Sequence, residues 1–412
     1  MSVRGADDGT ARMRGAGAPT SRRAGPRSGG GRAVTPDWRI RAERLAETLA
    51  DDGASTDPRW AEALRTVPRH VFVPEFFEQT TDGSGWERVD PTTDPERWAD
   101  AVHADRSLVT ELRSSPTVLD GHPIPSSSST PPSLMVRMLE LLDVTEGDRV
   151  LEIGTGTGWN AALLSSVVGA ARVTTVELQP DLASIARERL AAIGLHPTVV
   201  TGDGGDGAPD GAPYDRIIAT CGVSRVPGAW VSQLAAGGRI VADLRSESSS
   251  SLVALDALDH DHVAGHLVGR PGLFMWMRPT VDHPLLDPAR ATPDTRAGER
   301  TGPRESVVDP RDLDAPGLRT LIGIACPELE VPPVPGQPIS DGAGSWARLD
   351  GSAVTQGGPR RPWDRIEAVA RIWRQLGTPG TERFGVTVDS AGTHRFWLDR
   401  PTDELPAEVG DI

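Results

Sequence analysis

The middle of the chain is ordered by where its apolar positions fall. Arg149 to Ile153 is an apolar run opened by one charged residue and closed by glycine, the pattern of a buried strand. Glycines follow at alternate positions, Gly154, Gly156 and Gly158, and Ala161-Ala162-Leu163-Leu164 then resumes with helical spacing. A second apolar strand, Ala171 to Val176, ends in Glu177. Pro197 to Val200 reads as a third strand, ending at Gly202-Asp203-Gly204, and Tyr214 to Thr220 as a fourth. Leu234 to Val241 reads as a helix end, a Gly-Gly turn and a fifth strand. Strands alternating with helical stretches predict an α/β protein with a doubly wound, Rossmann-like sheet.

The same patterning extends outward. Trp38 to Ala50 and Asp57 to Thr66 read as amphipathic helices, and Asp82 to Trp98 as loop. Ser133 to Leu142 reads as a helix with Leu134, Met138, Leu141 and Leu142 on one face. Leu252 to Leu258, a turn, Val263 to Val268 and then Leu273 to Met277 finish the sheet. Beyond it, Leu318 to Ala325 reads as a strand, and Trp346 to Val354 as a hairpin turning at Asp350-Gly351. Trp363, Ile366, Val369, Ala370, Trp373 and Leu376 fall on one helix face. Arg383 to Val388 and Thr393 to Leu398 read as a second hairpin. These elements divide the chain into a disordered tail (1–35), a core domain with a helical cap (36–280), a linker rich in Pro, Asp, Arg and Thr (281–316) and a smaller α+β domain (317–412).

The glycine turn is where chemistry enters. A strand, a tight glycine turn and a helix let a ligand approach the backbone at a helix N-terminus. Glu177 lies 19 residues after Gly158, the spacing at which an acid accepts hydrogen bonds from ribose hydroxyls. Turn and acid together point to a nucleotide-like cofactor with a ribose diol. Dinucleotide enzymes share this turn, so the motif alone leaves the cofactor open.

The order of a strand-end acid, then Gly-Asp-Gly, then an Asp-containing strand, then Gly-Gly-Arg resembles class I S-adenosylmethionine-dependent methyltransferases. That resemblance implies a site made of Gly154, Thr155, Gly156, Gly158, Glu177, Leu178, Asp203 and Gly204, with Glu177 holding the ribose and Asp203 beside the adenine. Upstream, Ala63-Leu64-Arg65-Thr66-Val67-Pro68-Arg69-His70-Val71-Phe72-Val73-Pro74 is similar to the opening of protein-L-isoaspartate O-methyltransferases. So is Ser128-Ser129-Thr130-Pro131-Pro132-Ser133-Leu134-Met135-Val136-Arg137-Met138. In that family the loop reads Thr-Ile-Ser-Gln-Pro and its serine is the substrate-site hydroxyl. Register places Thr130 on that serine and Ser128 on the threonine, as the expected catalytic pair. His70 matches the family's Pro-Arg-His segment and is expected to pack or to anchor a loop. The likeness runs from Pro58 to Pro279. The ending Phe396-Trp397-Leu398-Asp399 resembles methyltransferases that accompany ribosomally made, modified peptides in actinobacteria.

Composition narrows the partners. The net charge is −15, and all 43 basic residues are arginine, which disfavours nucleic acid and anionic membrane. The tail carries seven arginines against Asp7 and Asp8. Cys221 and Cys326 are the two cysteines, so no disulfide framework is implied. No apolar run approaches a membrane span and no signal-peptide core is seen, so a cytoplasmic enzyme is expected. Asp259-His260-Asp261-His262 falls where a hairpin needs a turn, and no metal is expected there.

Transfer of a methyl from a sulfonium to a carboxylate needs alignment and exclusion of water more than a strong base. Three functions are therefore weighed. The first is esterification of an aspartyl side chain in a ribosomally made peptide, leading to aspartimide or isoaspartate. The second is general isoaspartyl repair, and the third a non-catalytic peptide binder on the same scaffold. The intact glycine loop, Glu177 and Asp203 weigh against the third.

Overall fold

The computed structural model describes residues 37–113, 123–280, 300–332 and 336–410. The tail expected over 1–35 lies outside the described residues. Helices α1 (Trp38–Asp51) and α2 (Pro58–Thr66) are each capped by an aspartate, Asp37 and Asp57, whose side chain accepts from a backbone N–H in the first turn. A short helix α3 (Arg69–Phe72) leads into strands β1 (Phe76–Gln79) and β2 (Trp86–Val89). Helix α4 (Pro95–Val102), strands β3 (Leu108–Arg113) and β4 (Ile124–Ser129) and helix α5 (Pro132–Leu142) follow. The segment expected as loop from Asp82 to Trp98 thus holds a strand and the start of a helix. Asp94 capping α4 with Pro95 in its first turn is the signal that was present. Strands β1 to β4 form a small antiparallel sheet in the order β2-β1-β3-β4.

The main sheet begins at β5 (Val150–Ile153), every residue of it buried. It continues through α6 (Trp159–Val168), β6 (Val173–Glu177), α7 (Pro180–Ala192), β7 (Thr198–Thr201), β8 (Tyr214–Val223) and α8 (Gly228–Ser232). Strand β9 (Leu234–Arg245) starts at Leu234 itself, so the helix end expected there stops earlier, at Ser232. Strands β10 (Ser250–Ala257) and β11 (His262–His266) close the segment. Strands β7-β6-β5-β8-β9 run parallel, and the order in which the chain lays them down reverses between β5 and β8. In doubly wound sheets ligands bind outside the strand ends at that reversal.

The remainder departs from the expected division. Strand β12 (Arg300–Glu305) lies within the stretch expected as linker, yet it pairs with β15. Residues 281–299 lie outside the described residues. Helix α9 (Pro316–Ala325) stands where a strand was expected. It is apolar nearly all round because it is buried on several sides, and Pro316 in its first turn marks the helix start. Strands β13 (Ile339–Ser340), β14 (Trp346–Asp350) and β15 (Ala353–Gly357) complete a sheet in the order β12-β15-β14-β13, packed with helix α10 (Pro362–Gln375). The last hairpin, β16 (Phe384–Asp389) and β17 (His394–Leu398), joins the main sheet instead of standing apart. It pairs with β11 over five residues and makes a nine-stranded sheet. Val386 and Val388 share one buried cluster with Ile217, Ile240 and Val253 of the core strands. Residues 36–412 therefore form one compact unit.

Candidate functional site

A cavity of about 980 Å³ opens at the C-terminal ends of β5, β6, β8 and β9. The turn after β5 builds its floor. Gly154 and Gly156 take φ values of +93° and +52°, which a side chain would strain. A Cβ at Gly154 would stand 3.0 Å from Thr220 Oγ1, so the close packing of this turn on β8 also requires glycine. The Gly156 N–H donates to Glu177 Oε2 at 2.9 Å, and the Gln179 N–H donates to Oε1 at 3.0 Å. Two of the carboxylate's roughly four acceptor directions are thus used, and the others are left for a diol. Burial raises the Glu177 pKa, opposed by these two N–H groups and by Arg278.

The expected site residues fall into two sets. Gly154, Thr155, Gly156, Glu177, Leu178 and Gly204 line the cavity, and so do Ser128 and Thr130. Gly158 and Asp203 do not line it. Gly158, at φ +89°, lets the helix entry pack on Ala186 and Phe72, where a Cβ would come within 3.3 and 3.5 Å. The Asp203 carboxylate caps the Gly204–Asp206 turn through the Gly205 N–H at 2.8 Å.

Strand β4 carries the serine run into the cavity. Ser129 is buried and its hydroxyl accepts from Arg69 Nη2 at 3.1 Å, while Ser126 donates to Glu111 at 2.5 Å. Thr130 follows at the strand end, and no hydrogen bond to its hydroxyl occurs among the described residues. Arg69, not His70, anchors this loop. Its guanidinium is fully buried and donates to the carbonyl oxygens of Val102, Ala104, Arg106 and Thr130 at 2.9–3.2 Å. Burial pushes its pKa down to about 9, which still leaves a cation at neutral pH. His70 instead packs its ring 5.2 Å from Trp38 and 5.6 Å from His103.

Glu152, on β5, was not anticipated as a site residue, yet it lines the cavity and is fully buried. Asn160 Nδ2 and Thr175 Oγ1 donate to it at 2.7 and 2.6 Å. Burial nevertheless pushes its pKa up to about 7, with Glu177 adding to the rise. An acid at the centre of an apolar strand was the available signal. Cys221 also lines the cavity, but burial pushes its thiol up to about 12 and makes it inert.

A strap tied to β8, Phe274 to Arg278, also lines the cavity. The Met277 N–H donates to Gly222 O and the Gly222 N–H donates to Met275 O, both at 2.8 Å. The buried Arg278 Nη1, near Glu177, has no hydrogen-bond partner among the described residues, and neither have Trp159 Nε1 and Asn160 Oδ1. All three side chains line the cavity, which therefore offers donors and an acceptor to a polar ligand beside a ribose-type carboxylate. These groups fit S-adenosylmethionine. Among the described residues no three His, Cys, Asp or Glu side chains group as a metal site, and no helix is long and apolar enough to cross a membrane.

Comparison with known proteins agrees with this geometry. Residues 109–269 match the family described as protein-L-isoaspartate(D-aspartate) O-methyltransferase. A protein-L-isoaspartate O-methyltransferase of Methanoculleus marisnigri is 36% identical over 200 residues, which are 48% of this chain and 74% of that protein. One from Koribacter versatilis is 40% identical over 227 residues, 53% of this chain and 85% of that protein. A solved structure titled protein-L-isoaspartate O-methyltransferase, 21% identical with a TM-score of 0.50, shares the fold over 87% of this chain and 100% of its own. Coverage that broad takes in part of the segment beyond Pro279. The chain is an S-adenosylmethionine-dependent carboxyl O-methyltransferase and belongs to the protein-L-isoaspartate O-methyltransferase family.

Proposed function

We propose that the enzyme esterifies an isoaspartyl or aspartyl carboxylate within a polypeptide, the repair-type activity of its relatives. One observation carries the reading: Glu177, the glycine turn and the Ser128–Thr130 segment all line a single cavity. Bound S-adenosylmethionine supplies a sulfonium methyl as electrophile. Thr130, with Ser128 near it, donates a hydrogen bond to the incoming carboxylate and aims one oxygen along the line of transfer. No base is needed, because the carboxylate is already ionised at neutral pH. Arg69 keeps the loop in place, and the strap from Phe274 to Arg278 excludes water from the reacting atoms. The next backbone nitrogen then attacks the ester carbonyl, the acyl–oxygen bond breaks and methanol leaves with the amide proton, and the succinimide so formed takes up water to give aspartate or isoaspartate.

A second reading is favoured by a separate observation. Gly323, Ile324, Pro327, Glu328 and Phe396, all from beyond the segment matched by the family, also line the cavity. Such surface supports selection of one particular peptide, as in the actinobacterial enzymes that modify ribosomally made peptides and leave aspartimide. The two readings separate in one assay. Purified enzyme with methyl-labelled S-adenosylmethionine is offered paired peptides that differ only in Asp or isoAsp at one position. Base-labile label on the isoaspartyl peptides alone supports the repair-type reading. Label on an ordinary Asp in one constrained peptide supports tailoring, and label on neither overturns both.

A further inference from the structure

The cavity has a second wall of different chemistry. Lining it together with Trp276 are Ile324 and Pro327, from α9 and the turn after it, and Phe396 from β17. Ile324, Trp276 and Phe396 are each only partly buried, unlike Leu318, Leu321 and Ile322 on the same helix, which are in the core. Apolar surface left open inside a concave site is what ligands cover.

This wall is held rigidly. Helix α9 sits so close to the turn after β9 that a Cβ at Gly323 would lie 2.1 Å from Ser249 Oγ. The Glu247 N–H also donates to Pro327 O at 3.2 Å. The hairpin carrying Phe396 is pinned to the loop after β8. The Val226 N–H donates to His394 Nε2 at 2.9 Å, and Arg225 donates to Gly392 O at 3.1 Å. His394 Nδ1 lies 3.1 Å from that same carbonyl, which sets the tautomer that leaves Nε2 as acceptor. Two of the charged side chains that line the cavity hold partners of their own. Arg245 donates to Phe274 O and stacks 4.7 Å from the Trp276 ring, and Glu328 pairs with Arg365.

We propose that Ile324, Pro327, Phe396 and Trp276 form a subsite for a bulky apolar side chain adjacent to the reacting carboxylate of the substrate peptide. The proposal rests on the reading of the substrate as a polypeptide carboxylate. The occupant follows from continuity: this wall and Thr130 bound one cavity, so a residue next to the reacting one reaches it without a second binding event. A charged side chain seated among these four would lose hydration without gaining a partner from them.

The test uses the full-length enzyme and peptides bearing one isoaspartyl or aspartyl residue, flanked on either side by Phe, Leu, Gly or Asp. The expected result is kcat/KM higher by about tenfold or more for Phe or Leu than for Asp on one side, the range that apolar pockets discriminate. Ile324→Asp and Phe396→Ala should each collapse that ratio. Calorimetric binding of S-adenosylhomocysteine near the wild-type value shows that each variant is folded. Methylation with no flanking preference in the wild type, or a preference unchanged in both folded variants, overturns the subsite and leaves the carboxyl-methylation reading standing. Methylation of no peptide at all overturns that reading itself.

Discussion

The guanidinium of Arg69 donates a 2.9 Å hydrogen bond to the carbonyl oxygen of Thr130, tying a buried charge near the start of the chain to the wall of the cavity. The same group holds three carbonyls between Val102 and Arg106, so one side chain joins the α4 end to the β4 end. Arg69→Lys keeps the charge but replaces five forked donors by three from one nitrogen, which cannot reach all these carbonyls. The expected cost is about 2–4 kcal/mol of stability, since buried acceptors lose their donors. Turnover should fall while S-adenosylmethionine affinity stays close to wild type. Urea unfolding and calorimetry check both parts, and unchanged turnover in a destabilised protein would separate Arg69 from the site.

Glu177 receives two backbone N–H groups and retains capacity for a diol. Glu177→Ala should weaken S-adenosylmethionine binding by about 1.5–3 kcal/mol, the value of a hydrogen bond to a charged group. Isothermal titration measures it directly. Wild-type affinity in the alanine variant would place the ribose elsewhere.

Thr130→Ala should cut kcat on peptide substrate with cofactor affinity nearly intact, because the role proposed for that hydroxyl is to aim the substrate carboxylate. Thr130→Ser should keep much of the activity. Full activity in Thr130→Ala would transfer the aiming role to Ser128, which lines the same cavity.

These roles were unequally legible in the sequence. The glycine turn, Glu177 and the segment from Ser128 to Thr130 could be read because local spacing and family pattern specify them. The hold of Arg69 on the loop could not, since its partners, backbone carbonyls and the Ser129 hydroxyl, lie 33 to 61 residues away and form no local pattern. Asp203 and Gly158 sit within motifs, but motif membership does not say which atoms meet a ligand. Helix α9 reads as a strand because Leu318 to Ala325 is a short apolar run, and a run of that length does not by its periodicity separate a buried helix from a strand. The joining of β16 to β11 is a pairing across more than a hundred residues, which no local pattern encodes.

Glu152 gives the protein a pH-dependent stability. Its pKa, raised by burial from 4.5 to about 7, means the folded protein holds a proton that the unfolded chain has released. The stability tied to that proton is fully present below about 4.5 and is lost as pH rises through about 7. The shift corresponds to about 3 kcal/mol. Glu152→Gln cannot ionise, and Asn160 Oδ1, unpartnered in the wild type, is free to accept from the new amide. The stability of Glu152→Gln relative to wild type should therefore rise by up to about 3 kcal/mol between pH 5 and pH 8. Urea titrations at the two pH values measure it, and a difference that does not change with pH would mean that Glu152 is already ionised at pH 5.

The joining of the hairpin to the main sheet changes what shortening the chain should do. From the sequence, a chain ending at Pro279 looks separable, because the segment beyond it reads as a linker and an independent domain. In the fold, removing that segment strips β16 from β11 and leaves His262–His266 as a bare strand edge. It also removes Val386 and Val388 from the cluster that holds Ile217, Ile240 and Val253. Each large apolar side chain taken from its burial site costs about 1.5–3 kcal/mol, so two or three such losses approach the whole stability of an ordinary domain. An uncovered edge beside newly exposed apolar surface is also a template for association. The loop from Ser224 to Val226 loses its contacts to His394 and Gly392 as well, so one wall of the cavity loosens. The shortened chain should therefore melt well below the full-length protein or aggregate, and bind S-adenosylmethionine poorly. Size-exclusion chromatography, thermal melts by circular dichroism and calorimetry test the three parts. A monomeric shortened chain that melts cooperatively and binds the cofactor at wild-type affinity would show that the hairpin adds to the sheet without supporting it.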